Sequence, residues 1–171
     1  MKIIKPTIEQ REYVKSILDK GMGKRGIFDG GYYERLFGLI GQVIICDMFN
    51  YPRPTDLTKA DAGFDIEIGG KKYDIKCEIR TVDFKRTYVH NVAATQINYK
   101  TDGYIFMSFN KEIGEYTICG YISKEELKTK ADYIKLGTHR RRTNGTYMPA
   151  KCDYYELKNK FLLEINNDAR M

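Results

Sequence analysis

Hydrophobic and polar residues alternate on both sides of a glycine pair near the middle of the chain. The two alternating runs are residues 64–68 and 71–79, and Gly69 and Gly70 separate them. A two-residue glycine loop between such runs predicts a tight β-hairpin. Counting outward from the turn pairs Ile68 with Lys71, Glu67 with Lys72, Ile66 with Tyr73 and Asp65 with Asp74.

Strand side chains alternate between two faces, so this hairpin has one apolar and one charged face. The apolar face, expected to be buried, contains Ile66, Ile68, Tyr73, Ile75, Cys77 and Ile79. The charged face contains Asp65, Glu67, Lys72, Asp74, Lys76 and Glu78. Opposed carboxylates about 5 Å apart repel each other, and with a nearby lysine they suit a divalent metal ion. The alternative is the solvated face of an amphipathic hairpin, where alternating charges are common.

Apolar periodicity predicts two helices before the hairpin and several shorter elements after it. Residues 7–20 have an apolar stripe at helical spacing, with Thr7 as the cap and Gln10 at the capping-box position. Residues 31–50 are mostly apolar, which predicts a helix buried against a sheet. Later elements are expected at 93–99 (short helix), 102–110 and 115–122 (strands), 123–130 (helix), 152–157 (edge strand) and 157–167 (turn or short helix). This order predicts an α+β fold with a mixed sheet.

Composition indicates one globular domain with a basic C-terminal extension at 131–171. The chain has 171 residues, of which 42% are apolar and 30% charged, typical of a folded protein. The net charge of +6 favours a polyanionic partner. Four widely spaced cysteines predict reduced thiols in a cytoplasmic protein. Since no segment has the apolar pattern of a signal peptide or a membrane span, we expect no membrane association.

The charged face of the hairpin resembles a known active-site motif. Asp65, eight intervening residues and then Asp74-Ile75-Lys76 resemble the motif of the PD-(D/E)XK nuclease superfamily, which has the restriction-endonuclease-like fold. Phe64 stands where the motif has proline. The resemblance covers about residues 31–122 and implies a metal-dependent endonuclease acting on DNA, with double-stranded DNA as the expected partner. It implies that Asp65, Asp74 and the Ile75 carbonyl bind Mg²⁺ or Mn²⁺, and that Lys76 orients or deprotonates the attacking water.

The same resemblance singles out further candidate residues. Nucleases of this superfamily often add an acidic residue from the helix before the hairpin, but Gln42 stands where such helices often have glutamate. That leaves Glu34 as a catalytic and metal-binding candidate, with capping of the helix as its alternative role. Gln42 is then a supporting group, and Gln96 resembles a glutamine that follows the catalytic strand in family members. Glu78 is another supporting candidate, unless it pairs with a neighbouring lysine.

Two basic segments are candidates for contacts with nucleic acid. Lys85 and Arg86 lie among aromatic residues, a combination that suits contacts to backbone and bases. Three consecutive arginines follow a histidine in the most basic segment, and they form either a phosphate clamp or a solvated surface run. These residues are His139, Arg140, Arg141 and Arg142. Enzymes of this superfamily often act as dimers, and a homodimer is an option that no segment of the sequence decides.

Two other functions stay open. One is a nucleic-acid-binding protein on the same fold that performs no chemistry, which Gln42 in place of an acid favours. The other is a domain whose charged hairpin is incidental, which predicts neither nucleic-acid binding nor metal affinity.

Overall fold

The computed structural model describes residues 1–21, 31–55, 57, 63–141 and 146–165, which form helices, a central mixed sheet and smaller β-elements. The helices are α1 (Ile8–Leu18), α2 (Tyr32–Met48) and α3 (Lys124–Lys130). The strands are β1 (Lys2–Ile4), β2 (Ile66–Ile68), β3 (Lys71–Arg80), β4 (Val89–Ala93), β5 (Gly103–Asn110), β6 (Glu115–Ser123), β7 (Asp132–Ile134), β8 (His139–Arg141), β9 (Tyr147–Pro149) and β10 (Tyr154–Lys158). Two 3₁₀ turns span Ala94–Asn98 and Asn159–Phe161.

The central sheet has five strands in the order β1-β6-β5-β3-β2. Strands β3 and β5 are parallel, and the other neighbouring pairs are antiparallel. Helices α1 and α2 cover one face of this sheet, where the larger apolar core lies. Its sheet residues include Ile66, Tyr73, Ile105, Met107 and Tyr116, and its helix residues include Val14, Leu39, Val43 and Ile44. Because β5 is covered on both faces, nearly all of its side chains are buried, as its apolar sequence predicts.

A smaller layer covers the opposite face of the central sheet. It consists of α3 and a three-stranded antiparallel sheet in the order β4-β10-β7. Its apolar core contains Val92, Tyr104, Phe106, Cys119, Ile122, Leu127 and Leu157. Strands β8 and β9 form a separate two-stranded ribbon. The charged face of β3 looks toward this smaller layer, because Asp74 and Lys76 lie beside the inward-facing Tyr104 and Phe106 of β5.

The local predictions based on capping and turn chemistry are confirmed. Thr7 and Gln10 form the capping box of α1, and Ser123 caps α3 by accepting the Glu126 N–H. The α+β class with a mixed sheet is also confirmed. The assignment of 152–157 as an edge strand is wrong, because β10 pairs with β4 on one side and β7 on the other. No helix within the described residues is long and apolar enough to cross a membrane.

Candidate active site

The β2–β3 hairpin positions the acidic pair. Its register matches the predicted one, with Ile66 opposite Tyr73 and Ile68 opposite Lys71. Gly69 and Gly70 both have positive φ (59° and 78°), which a tight hairpin loop requires and glycine adopts without strain. Asp65 directly precedes β2, and its backbone N–H donates to the Tyr73 carbonyl at 2.9 Å. The turn therefore fixes where Asp65 lies along β3.

Asp65, Asp74 and Lys76 meet at the edge of β3. One carboxylate oxygen of Asp65 accepts the backbone N–H of Ile75 at 2.7 Å. Asp74 is only 8% exposed, and its Oδ2 lies 2.7 Å from Nζ of Lys76. The N–H and C=O groups of one strand residue point to the same side, so the Ile75 carbonyl also opens toward Asp65. The geometry brings together all four groups of the resembled motif.

The electrostatics of this corner favour an added positive charge. Burial, and then the neighbouring Asp74 carboxylate, raise the pKa of Asp65 well above its usual value. The Ile75 N–H and the Lys76 ammonium oppose this rise only in part. Asp65 therefore holds its proton more firmly than a free aspartate does, because it is buried and lies close to a like charge. A divalent cation would replace that proton, since hard carboxylate oxygens suit Mg²⁺ or Mn²⁺.

Glu34 lies at the other end of α2 from the acidic pair. Its Oε2 accepts the backbone N–H of the residue that caps the helix, at 2.6 Å. The first turns of α2 pack near the end of β5, where the rings of Phe37 and Phe109 are 4.3 Å apart. The end of α2 lies within electrostatic range of Asp65, because the charge of Asp65 raises the pKa of Cys46. At 1.5 Å per residue, Glu34 lies about 18 Å along the helix from Cys46.

Gln42 is nearer to the acidic pair than Glu34. It lies one turn before Cys46 on the same face of α2 and is partly exposed. Within the described part of the chain, no group of three or more His, Cys, Asp or Glu side chains is placed to hold a metal ion. The structure therefore brings two acids together and does not bring Glu34 to them.

Two residues that lie beside the acidic pair were not identified from the sequence. Burial raises the pKa of the Cys46 thiol to about 12, and the charge of Asp65 adds to the effect. Tyr104 is paired with Asp74 across the parallel strands, and its hydroxyl donates to the Gln96 carbonyl at 3.3 Å. Burial, and then Asp74, raise the pKa of Tyr104. The proximity of Tyr104 to Asp74 follows only from the pairing of β3 with β5. Gln96 itself lies in the 3₁₀ turn with its backbone toward Tyr104.

Glu78 and Arg80 continue the charged face of β3 but bind the small sheet. Arg80 donates to the Val89 carbonyl at 2.7 Å and to the Ser108 hydroxyl at 3.1 Å. The Glu78 carboxylate accepts the backbone N–H of Asn91. Burial raises the pKa of Glu78, and Arg80 and the Asn91 N–H offset part of the rise. These two side chains thus satisfy backbone groups at the free edge of β4, and the supporting role of Glu78 in catalysis stays a prediction.

The basic candidates occupy two different surfaces. Lys85 and Arg86 are exposed in the connection between β3 and β4. His139 and Arg141 are exposed on β8, whereas Arg140 forms an ion pair with the buried Glu156. Arg142 lies outside the described residues. The two described arginines, Arg140 and Arg141, therefore do not share one exposed surface.

Comparisons of the chain with protein-family models, with curated protein sequences and with solved structures found no match. Function has to be inferred from the side chains themselves. The features available are a desolvated pair of carboxylates, a lysine in contact with one of them, and a basic net charge.

Proposed function

We propose that this protein is a metal-dependent nuclease, an endonuclease that hydrolyses phosphodiester bonds in DNA. The observation that carries the proposal is the contact of Lys76 with Asp74, 2.7 Å, beside a second carboxylate whose pKa is raised. Perturbed carboxylates paired with an amine are typical of catalytic sites. The spacing of these residues matches the motif of the PD-(D/E)XK superfamily, and α2, the hairpin and the mixed sheet are compatible with a restriction-endonuclease-like core over about 31–122.

The donor set fits Mg²⁺ or Mn²⁺. Asp65, Asp74 and the Ile75 carbonyl would hold the ion, with water completing its coordination, because these ions prefer oxygen ligands and keep several waters. When bound, the metal would neutralise charge on the scissile phosphate and acidify an attacking water. Lys76 would position that water and take part in its deprotonation. The Ile75 N–H holds the Asp65 carboxylate in place for this work.

The raised pKa of Asp65 gives the proposed activity a pH dependence. Below its folded pKa Asp65 holds a proton that competes with the metal. Apparent affinity for Mg²⁺ should therefore rise as pH increases through that pKa, which lies above the usual range of aspartate. Titration of Mg²⁺ at several pH values measures this, and an affinity independent of pH would contradict the competition between the metal and the Asp65 proton.

The partner and the compartment follow from charge and thiols. A net charge of +6 favours a polyanion such as DNA, and exposed Arg86, Lys85 and Arg141 are available to bind it. All four cysteines are free, and two of them are buried, which suits a reducing cytoplasm. A homodimer remains a prediction.

One observation favours a second function, a nucleic-acid-binding protein without catalysis. No third acid joins the pair within the described residues, since Glu34 caps its helix and Gln42 is neutral. A cleavage assay separates the two functions. Supercoiled plasmid, linear duplex and single-stranded DNA are incubated with Mg²⁺ or Mn²⁺, and Asp74→Asn serves as the matched control of equal shape. Cleavage by the wild type alone supports the nuclease, whereas salt-sensitive binding without cleavage by either protein supports the second function.

A further inference from the structure

The β8–β9 ribbon has two chemically different faces. His139 pairs with Pro149, Arg140 with Met148 and Arg141 with Tyr147. Alternation places Arg140 and Met148 on one face, and both are partly buried. The other face is exposed and consists of His139, Arg141, Tyr147 and Pro149. Consecutive arginines at 140 and 141 therefore have opposite surroundings, which their sequence alone does not show.

The inner face fixes the ribbon to the small sheet that packs on Glu78 and Arg80 of β3. Arg140 forms an ion pair with Glu156 of β10, which is only 8% exposed. Glu156 is paired with Asn91 of β4, and the Asn91 N–H donates to Glu78 on the charged face of β3. Glu78 is two residues from Lys76 on that face. A continuous series of contacts thus holds the ribbon on the same side of the central sheet as the acidic pair and its lysine.

The outer face has the chemistry of a nucleic-acid contact. Arg141 and Tyr147 are directly opposite each other across the ribbon, and Tyr147 is 65% exposed. None of the four outward residues is acidic, and the His139 imidazole adds a hydrogen-bond donor. An exposed arginine near an exposed aromatic ring suits contacts to phosphates and base edges.

We propose that the outer face of the β8–β9 ribbon enters the major groove of duplex DNA, with Arg141 and Tyr147 as its contact residues and Arg140 as a positioning residue. The major groove of B-DNA is wide enough for a two-stranded β-ribbon. The corresponding groove of A-form RNA is deep and narrow, and side chains do not reach into it. The ribbon therefore selects duplex DNA over duplex RNA. This inference rests on the proposed function, for which it names the substrate class and the residues that select it.

The test is binding without metal, so that cleavage does not interfere. Fluorescence anisotropy in EDTA compares duplex DNA, duplex RNA of the same sequence and the single DNA strand, at two salt concentrations. The wild type should prefer duplex DNA. The double variant Arg141→Ala with Tyr147→Ala should lose about tenfold or more of the affinity for duplex DNA, the range expected for one arginine–base contact, and should lose the preference over RNA.

A matched control removes one exposed aromatic ring and one exposed cation elsewhere on the protein. Tyr33→Ala with Lys111→Ala deletes an exposed tyrosine from the first turn of α2 and an exposed cation from the connection between β5 and β6, both away from the ribbon in the chain. This control should bind duplex DNA as the wild type does. Since Arg141 and Tyr147 are exposed, the ribbon variant should keep its fold, which circular dichroism verifies. The single variant Arg141→Glu should weaken binding further through charge repulsion.

The outcomes separate this inference from the nuclease proposal. If the wild type binds duplex RNA equally well, or the ribbon variant binds and cleaves duplex DNA like the wild type, the ribbon inference is overturned while cleavage itself stands. If the wild type never cleaves but the ribbon variant loses duplex binding, the ribbon inference holds and the nuclease proposal fails. Absence of any duplex binding by the wild type also overturns the ribbon inference.

Discussion

The two halves of the charged face of β3 have the same pattern but different surroundings. Asp74 and Lys76 lie beside Asp65 at the open edge of the hairpin, where they form a desolvated acidic site. Glu78 and Arg80 lie under the free edge of β4 and satisfy its backbone groups. Alternation determines which side chains share a face, whereas the element packed opposite determines which remain available for chemistry. The second half docks the small sheet, and the first half is the one for which we propose catalysis.

Activity should distinguish the two halves most strongly. Lys76→Ala should lower the rate of Mg²⁺-dependent cleavage about a thousandfold, because it removes the group that positions and deprotonates water. Glu78→Gln keeps an acceptor for the Asn91 N–H and should stay within about threefold of the wild-type rate. Initial rates of plasmid cleavage measure both, with binding in EDTA as the control. Equal losses would mean that the halves do not differ in function.

The free energy of unfolding should show the reverse order, with the larger loss for variants in the Glu78–Arg80 half. Arg80→Ala removes the donors to Val89 and Ser108 and leaves Glu78 without its cation. Breaking a largely buried charged network costs about 3 kcal/mol of the free energy of unfolding. Urea denaturation measures the loss, and the exposed Arg86→Ala is the matched control, expected to cost less than about 0.5 kcal/mol. A loss in Arg80→Ala as small as that control would remove the docking role.

The docking half also contains an acid-sensitive residue. His90 is fully buried and stacks on Phe106 at 4.7 Å, and neither of its ring nitrogens has a hydrogen-bond partner among the described residues. Burial, and then the charge of Arg80, lower the pKa of His90 to about 3. The unfolded chain takes up this proton near pH 6.5, so the stability present above that pH is lost as pH falls toward 3.

The expected loss is at most about 1.4 kcal/mol per pH unit in that window. His90→Phe keeps a ring against Phe106 and removes the titration. Urea denaturation of both proteins between pH 7.5 and pH 4.5 isolates the effect, because the other groups titrate equally in each. The lower pH lies about two units below the usual pKa of histidine. Parallel pH profiles of the two proteins would show that the imidazole is not desolvated.

The smallest expected effect concerns Glu34. Glu34→Ala should cost about 1 kcal/mol of stability, because the helix loses the acceptor for its cap N–H. It should leave affinity for Mn²⁺ unchanged, since the acidic pair lies near the other end of α2. Calorimetric titration with Mn²⁺ checks this, and a tenfold loss of affinity would return Glu34 to the metal site.

The features that the sequence predicts correctly are those determined by residues that are close together in the chain. The glycine pair determines the register of β2 on β3, which brings Asp65 to the Ile75 N–H, and capping residues locate α1 and α3, so these features follow from neighbours in the chain. Long-range pairing does not follow from local pattern. The parallel pairing that brings Tyr104 to Asp74, the docking of β4 on Glu78 and Arg80, and the inward turn of Arg140 depend on which elements pack together. Likewise, Glu34 lies far from the acidic pair because of the direction in which α2 packs on the sheet.

The most direct test of the account is the location of a bound metal. Crystals soaked with Mn²⁺ would be analysed by anomalous diffraction, with Asp74→Asn crystals as the control. The account predicts one site that contacts carboxylate oxygens of both Asp65 and Asp74 and is lost in the variant. A metal bound only elsewhere, or no metal at this pair in crystals of a protein that cleaves DNA, would contradict it.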